Sequence, residues 1–174
     1  MTSLVNEAIG QARKILSRNI TPLGMMASCD VYQQVWARDS VITLLGATVN
    51  SDATALECLR VSLDTLAKGQ NRFGQIPGFV ACKDGMPTWG GMDCNPWFVL
   101  GVARLYELRL DESWRRSTAP AVIRALDWCE SMDLSRHDLM ISPEMFDWAD
   151  LLANHGHVLY PNVLYAAALA RGAE

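Results

Sequence analysis

The 174-residue sequence lacks the features that mark several common functional classes. Its net charge is −4, so no excess of positive charge indicates a nucleic-acid partner. No apolar run reaches the roughly 18–20 residues of a membrane span. The N-terminal segment carries Glu7 in an amphipathic stretch, unlike a signal peptide. We therefore expect a soluble protein with no nucleic-acid partner and no membrane partner.

Cysteine chemistry is equally sparse. The five cysteines are odd in number and form no Cys-x-x-Cys pair, so neither a zinc site nor a dithiol pair is predicted. His155-Gly156-His157 lacks a third ligand at motif spacing and is better explained as a loop turn than as a metal site. We expect reduced thiols, a cytoplasmic location, no metal and no cofactor.

Three segments of the chain have no Asp, Glu, Lys or Arg. They lie between Asp39 and Asp52, between Asp93 and Arg104, and between Asp150 and Arg171. Because a helix that is apolar all round is normally buried, these segments are predicted to form inner helices. The amphipathic segments between them are predicted to form outer helices. This alternation favours a single domain over 1–174 with an all-α fold.

Hydrophobic periodicity, helix caps and helix-breaking residues place the helices along the chain. They are predicted at about 2–18, 38–48, 53–68, 95–110, 117–132 and 161–171, with a shorter helix at 142–152. Long connections at 19–37, 69–94 and 133–160 each precede an inner helix. Because neighbouring helices alternate in direction, all three should emerge at one end, and loops of this length are usually functional.

These loops combine Trp, Asp, Arg, Gly and Pro. Aromatic rings offer flat faces to the C–H surface of a sugar, while Asp and Arg bind hydroxyl groups through charge-assisted hydrogen bonds. Paired carboxyl groups also supply the acid and base of glycosidic cleavage. The loop composition therefore indicates a carbohydrate-sized pocket.

Four motifs occur in order: 36–39 (WARD), 74–77 (GQIP), 92–98 (MDCNPWF) and 147–150 (DWAD). Together with 156–165 (GHVLYPNVLY), they resemble the six-hairpin (α/α)6 glycosidases, especially the glucosidase domain of glycogen-debranching enzymes. The resemblance covers about 20–174 and implies half of an (α/α)6 toroid, with three of the six hairpins. It also implies a glycoside hydrolase-like protein that acts on or binds a glucose-type saccharide, as a small sugar or a glucan end.

The resemblance also assigns roles by position. Asp150 matches the general acid, and Asp147 lies three residues before it, on the same side if the segment is helical. The predicted substrate-binding residues are Trp36, Arg38, Asp39, Trp89, Asp93, Trp97, Asp147 and Trp148. Six residues have a simpler alternative: Trp89, Trp97 and Trp148 as packing residues, Arg38 and Asp39 as a helix cap with an exposed ion pair, and Asp150 as a capping or surface carboxylate.

One departure from the family affects function. The chain contains three hairpins rather than six, and the general base of inverting members belongs to the absent half. A homodimer that completes the toroid would cover the apolar edges. The alternatives are a non-catalytic carbohydrate-binding protein, a truncated or degenerate scaffold, and a helical protein-interaction module.

Overall fold

The computed structural model describes residues 2–50, 53–109, 111–149 and 151–172. Within these residues it contains six α-helices and five short strands. The helices are α1 Thr2–Arg18, α2 Ala37–Asn50, α3 Ala53–Lys68, α4 Cys94–Arg109, α5 Glu112–Ser131 and α6 Leu159–Gly172. The strands are β1 Ile20–Thr21, β2 Gly24–Met25, β3 Gln34–Trp36, β4 Phe79–Ala81 and β5 Pro87–Thr88.

The fold is mixed, so the predicted all-α half of an (α/α)6 toroid is wrong. β1 pairs with β2, and β3, β4 and β5 form a three-stranded antiparallel sheet. Val35 and Val80 lie opposite each other in that sheet, and both are buried. Loop backbone that is buried must find hydrogen-bond partners, and here the first and second long loops pair with each other.

Two helix predictions also need correction. α5 begins at Glu112 rather than 117, because Asp111 caps it by accepting a hydrogen bond from Trp114 N at 3.0 Å. The predicted helix at 142–152 is absent from the described residues of that segment. Instead, Ser142 and Gly156 exchange two backbone hydrogen bonds of 2.8 and 2.9 Å.

α4 is the centre of the helical packing. It contacts α2, α3, α5 and α6. None of its residues from Cys94 to Ala103 is exposed, as predicted for an apolar helix. The same prediction is wrong for the other two, since Ile42 of α2 is 48% exposed and Val163 of α6 is 57% exposed.

A buried amide in the first turn of α4 fixes the preceding loop. Asn95 Oδ1 accepts a hydrogen bond from Ile76 N at 2.9 Å. Its Nδ2 donates to the carbonyl oxygens of Gly74 and Ala125, both at 3.0 Å. Because these groups are buried, the single amide satisfies backbone atoms of the loop and of α5 that water does not reach.

The starts of α2 and α6 use the same device. Ser40 Oγ donates to the carbonyl oxygen of Met25 at 3.4 Å, in the first long loop. Asn162 accepts from Met140 N at 2.7 Å and donates to Met140 O at 3.0 Å, in the third. Each apolar helix therefore carries a buried polar side chain near its start that holds the loop before it.

Candidate functional site

The three long loops meet at the end where α2, α4 and α6 begin. β3 and β4 join the first and second loops, and Met92 N donates to Phe146 O at 2.8 Å, joining the second and third. The loops surround a pocket of about 230 Å³. It is lined by Trp36, Arg38, Gly78, Phe79, Thr88, Trp89, Gly90, Gly91, Asp93, Cys94, Met145, Phe146, Asp147 and Trp148.

Asp93 is the buried polar centre of this pocket, with 1% of its surface exposed. Its Oδ2 accepts hydrogen bonds from Arg38 Nη1 at 3.2 Å and from the Tyr160 hydroxyl at 3.0 Å. That hydroxyl in turn accepts from Trp97 Nε1 at 2.9 Å. A charged residue is rarely buried without partners, and this network supplies them.

The surroundings of Asp93 keep its neighbours protonated. Burial disfavours the charge on Arg38, but the adjacent Asp93 carboxylate outweighs it and raises the pKa of the guanidinium. Burial, together with the Asp93 charge, raises the pKa of Tyr160. The same two causes raise the pKa of the Cys94 thiol well above its usual value. Tyr160 and Cys94 are therefore donors at neutral pH, not nucleophiles.

Gly91 allows the loop to pass close to this network. Its φ is +89°, in the left-handed region that favours glycine, and a Cβ there would lie 2.9 Å from Asp93 Oδ1. Gly91 therefore has two reasons to lack a side chain: its backbone conformation and its approach to a buried carboxylate.

Aromatic side chains form the rim. The rings of Trp36 and Phe79 lie 4.6 Å apart with a tilt of 41°. Trp89 is 42% exposed and donates from Nε1 to Gly69 O at 3.2 Å. Trp148 is 59% exposed, with its ring edge-on to Tyr160 at 6.3 Å. Exposed, oriented rings next to an ion pair can stack on an apolar ligand face while polar groups reach its hydroxyls.

Asp147 lines the pocket but is held by its own loop. Its Oδ1 accepts from Ala149 N at 2.8 Å, and its Oδ2 accepts from Asn154 Nδ2 at 3.1 Å. The helical geometry expected to place it beside Asp150 is absent from the described part of this segment. Asp150 itself, the predicted general acid, lies outside the described residues.

The structure thus brings six of the predicted residues around one pocket: Trp36, Arg38, Trp89, Asp93, Asp147 and Trp148. Trp97 contacts the network from behind, through Tyr160. Asp39 lies 3.7 Å from Arg38 Nη2 but faces a separate cleft beside Leu16 and Ile42. The helix-cap alternative fits Asp39 better than a place in the pocket, because it lies in the first turn of α2.

Sequence reasoning missed three contributors: Phe79, Phe146 and Tyr160. Phe79 and Phe146 line the pocket through chain pairing that the sequence does not reveal. Tyr160 carried a usable signal, because it directly precedes Pro161 at the start of a charge-free helix, on the loop side of the fold. A hydroxyl at such a place is expected to find a buried partner.

Among residues 2–50, 53–109, 111–149 and 151–172, no group of three His, Cys, Asp or Glu side chains is arranged to hold a metal ion. In the same residues, no helix combines the length and apolar character needed to cross a bilayer. No protein-family model and no curated protein matches this chain.

Proposed function

We propose that the pocket binds a neutral, glucose-type saccharide, as a small sugar or the end of a glucan, and that the protein is glycoside hydrolase-like. The observation that carries this proposal is the gathering of Trp36, Trp89 and Trp148 around the Arg38–Asp93 pair. At about 230 Å³, the cavity is smaller than the roughly 300–1,000 Å³ typical of drug-sized ligands, which favours one sugar ring.

The charges in the pocket favour a neutral ligand. Two carboxylates, Asp93 and Asp147, line it together with one guanidinium, that of Arg38. The guanidinium is already paired with Asp93, so an added anionic group would meet an uncompensated carboxylate. We expect glucuronate to bind more weakly than glucose, and calorimetric titration with both measures the difference.

Binding is tested with glucose and maltose as probes. In Trp148→Ala, the loss of an exposed ring should weaken binding about 2- to 10-fold, the value of roughly 0.5–1.5 kcal/mol for one aromatic contact. Phe73→Ala is the matched control, because Phe73 is 67% exposed, stacks on Arg72 and does not line the pocket. The proposal fails if neither sugar produces heat or a thermal shift with the wild-type protein.

Hydrolysis is proposed with Asp150 as the group that donates a proton to the leaving oxygen. The residue follows Asp147 and Trp148, which line the pocket, by three and two positions. With p-nitrophenyl α- and β-glucosides as substrates, Asp150→Asn should lower kcat about 10²- to 10⁴-fold. Asp84→Asn, in the turn before β5, should leave kcat unchanged. Turnover that survives in Asp150→Asn would remove Asp150 from this role.

Binding without turnover is the second candidate. Both oxygens of Asp147 accept hydrogen bonds from its own loop, and Asp93 is tied to Arg38 and Tyr160. These carboxylates hold positions and are poorly placed for proton transfer. Sugar binding with no detectable release of p-nitrophenol would favour this candidate.

We also propose a cytoplasmic location. All five cysteines are free thiols, and three of them are buried: Cys58, Cys94 and Cys129. A reducing compartment suits this state, since unpaired thiols are unusual in secreted proteins. Fractionation of cells that express the protein tests this location. Recovery outside the soluble cytoplasmic fraction would contradict it.

A further inference from the structure

A groove separate from the pocket lies between α4, α5 and the end of α6. Its volume is about 530 Å³, within the roughly 300–1,000 Å³ typical of small-molecule sites. None of the described residues lines both this groove and the pocket. A ligand of the groove is therefore bound independently of the proposed saccharide.

Aliphatic side chains form most of the groove. Val99, Val102, Val122 and Ile123 line it, together with one alanine each from α4 and α5. On each helix the lining residues recur at helical spacing, so they belong to one face. Ile123 is 59% exposed, and covering such a side chain is favourable. The groove therefore offers a continuous apolar surface to an aliphatic ligand.

The polar residues of the groove gather at one end, next to the short connection between α4 and α5. Tyr106 lies three residues before the end of α4, and Arg115 lies three residues after the start of α5. Val99 and Ile123 lie seven and eight residues further along these helices, about 10–12 Å away at a rise of about 1.5 Å per residue. A groove with one polar and one apolar end matches a ligand of the same kind, an amphiphile.

Arginines outnumber glutamates at the polar end, although the whole chain has a net charge of −4. Glu107, an acidic residue of the lining, is compensated because it pairs with Arg104 at 2.9 Å and with Arg171 at 3.0 Å. A second network shares one glutamate between two arginines at 2.7 and 2.9 Å: Arg115–Glu112–Arg116. This second network contains one more guanidinium than carboxylate, and such an excess favours an anionic ligand.

Arg115 is held in a fixed orientation at this end. Its Nε and Nη2 donate to Glu112 at 2.8 and 2.7 Å, and its guanidinium carbon lies 5.3 Å from the centre of the Tyr106 ring. The nearby Asp111 is used in the cap of α5, where it accepts from Trp114 N. Arg115 Nη1 donates to none of the described residues. This nitrogen is therefore placed to bind an anion, and a carboxylate suits a guanidinium.

We propose that the groove binds a free aliphatic carboxylate of medium chain length, with its carboxylate on Arg115 and its chain along Val102, Val122 and Ile123. The distance between the two ends of the groove supports a small ligand. It accommodates only about two turns of a peptide helix, whereas a stable protein interface uses about 800 Å² on each partner. A small amphiphile places its charge and its chain in the groove without further contacts.

Three probes separate the roles of the two ends in calorimetric titrations of the wild-type protein. Octanoate should bind below the concentration at which it forms micelles. Octanol, which keeps the chain but lacks the charge, should bind about 10- to 100-fold more weakly, because a hydrogen bond between charged groups is lost. Acetate, which lacks the chain, should give no measurable heat.

Three results with these probes would each overturn the proposal. They are no heat with octanoate, octanol binding as tight as that of octanoate, and octanoate binding only as micelles. The last result would indicate association with a lipid surface instead of a free ligand. Because this comparison uses the wild-type protein, it does not depend on any variant folding.

Substitution of Arg115 tests the carboxylate position. Arg115→Met should weaken octanoate binding about 10- to 100-fold and leave octanol binding within about twofold. Arg116→Met is the matched control, because Arg116 binds the same Glu112 but is 76% exposed and does not line the groove. It should weaken octanoate binding less than about threefold. Equal losses in the two variants would rule out Arg115 as the anion site.

Substitution of Ile123 tests the apolar part. Ile123→Asn should weaken octanoate and octanol alike, by about 3- to 10-fold. Ile9→Asn, at a 47% exposed position of α1 outside the groove, should change neither. Circular dichroism verifies that the variants are folded. Glucose titration of the same variants should give wild-type affinity, so loss of this site and failure of the saccharide proposal are distinguished. Ile123→Asn with unchanged octanoate binding would contradict the placement of the chain.

Discussion

The polar groups at the two ends of the helices are held in opposite ways. At the loop end, where α2, α4 and α6 begin, polar side chains such as Asp93, Asn95 and Asn162 are buried and hydrogen-bonded to loop backbone or to other side chains. At the hairpin end, where at most two residues join α2 to α3 and α4 to α5, the polar groups are surface ion pairs. Glu57 there bonds Arg60 and Arg109, both at 2.6 Å.

This difference predicts where substitutions are costly. Removing one partner of a buried hydrogen bond leaves the other polar group unpaired, because water does not reach it. This costs about 1–3 kcal/mol for each group. An exposed ion pair contributes about 0–1 kcal/mol, because water and salt screen it. The loop end should therefore determine stability, although it is also the end that carries the pocket.

The largest effect is expected at Asn95. Asn95→Ala leaves Ile76 N without its partner and removes one hydrogen bond each from the carbonyl oxygens of Gly74, which also accepts from Gln70 Nε2, and of Ala125, which lies within α5. We expect the free energy of unfolding to fall by about 3–5 kcal/mol, measured by urea denaturation. Asn6→Ala, at an exposed position of α1, should change it by less than about 0.5 kcal/mol. Equal losses in both variants would contradict the contrast between the two ends.

The same residue shows what the sequence reveals and what it conceals. The helices could be predicted because their apolar spacing is local, and α1 has the predicted bounds. Asn95 is an amide within the charge-free segment at 94–103, and its type alone indicates a polar group that needs a partner if the helix is buried. Which backbone atoms it binds depends on loops distant in sequence, such as Ile76.

The strands could not be predicted for a related reason. β3 has three residues and pairs with β4, more than 40 positions away, so neither alternation nor a turn signal indicates the pairing. The pocket residues were easier to predict than the strands, because the types of Trp36, Arg38 and Asp93 and their positions in or beside the long loops indicate a binding site. The prediction that the charge-free helices α2 and α6 are buried was wrong, because a segment without charge can also be partly exposed, as Ile42 shows.

The second prediction concerns the ion pair in the pocket. Arg38→Met removes the cation from Asp93, which stays buried with Tyr160 as a remaining donor. We expect a loss of about 2–4 kcal/mol in the free energy of unfolding, somewhat below the value for a fully buried pair because Arg38 is partly exposed. Thermal and urea denaturation measure it.

Two companion variants sharpen this result. Arg18→Met breaks an ion pair whose side chains are 61% and 67% exposed, and it should cost less than about 1 kcal/mol. Arg38→Met combined with Asp93→Asn removes the uncompensated charge and should recover part of the loss. A double variant that is less stable than Arg38→Met alone would argue against a charge penalty at Asp93.

A smaller effect is expected at Tyr160. Tyr160→Phe keeps the ring against Trp148 but removes the hydroxyl that donates to Asp93 and accepts from Trp97. The expected cost is about 1–2 kcal/mol in the free energy of unfolding. Tyr32→Phe, at a residue that is 56% exposed, is the control and should be nearly neutral. Indistinguishable denaturation midpoints for the two variants would mean that the Tyr160 hydroxyl is solvated.

The smallest effect belongs to the hairpin end and depends on pH. Hydrogen bonds from Arg60 and then Arg109 lower the pKa of Glu57 from 4.5 to about 2. A carboxyl whose pKa is lowered by folding stabilises the protein above its unfolded pKa, here about 4.5, and the contribution disappears as pH falls towards 2. Since the Glu57 side chain is 47% exposed, solvent screening keeps this contribution small.

Glu57→Gln should therefore lower Tm by no more than about 2–4 °C at pH 7, and the difference from wild type should shrink between pH 5 and pH 3. High salt at pH 7 should reduce it as well, because the ion pairs are exposed. A difference in Tm that grows as the pH falls has the wrong sign for a carboxyl stabilised in its charged form. A loss as large as that of Asn95→Ala would remove the distinction between buried and surface polar groups on which the comparison of the two ends depends.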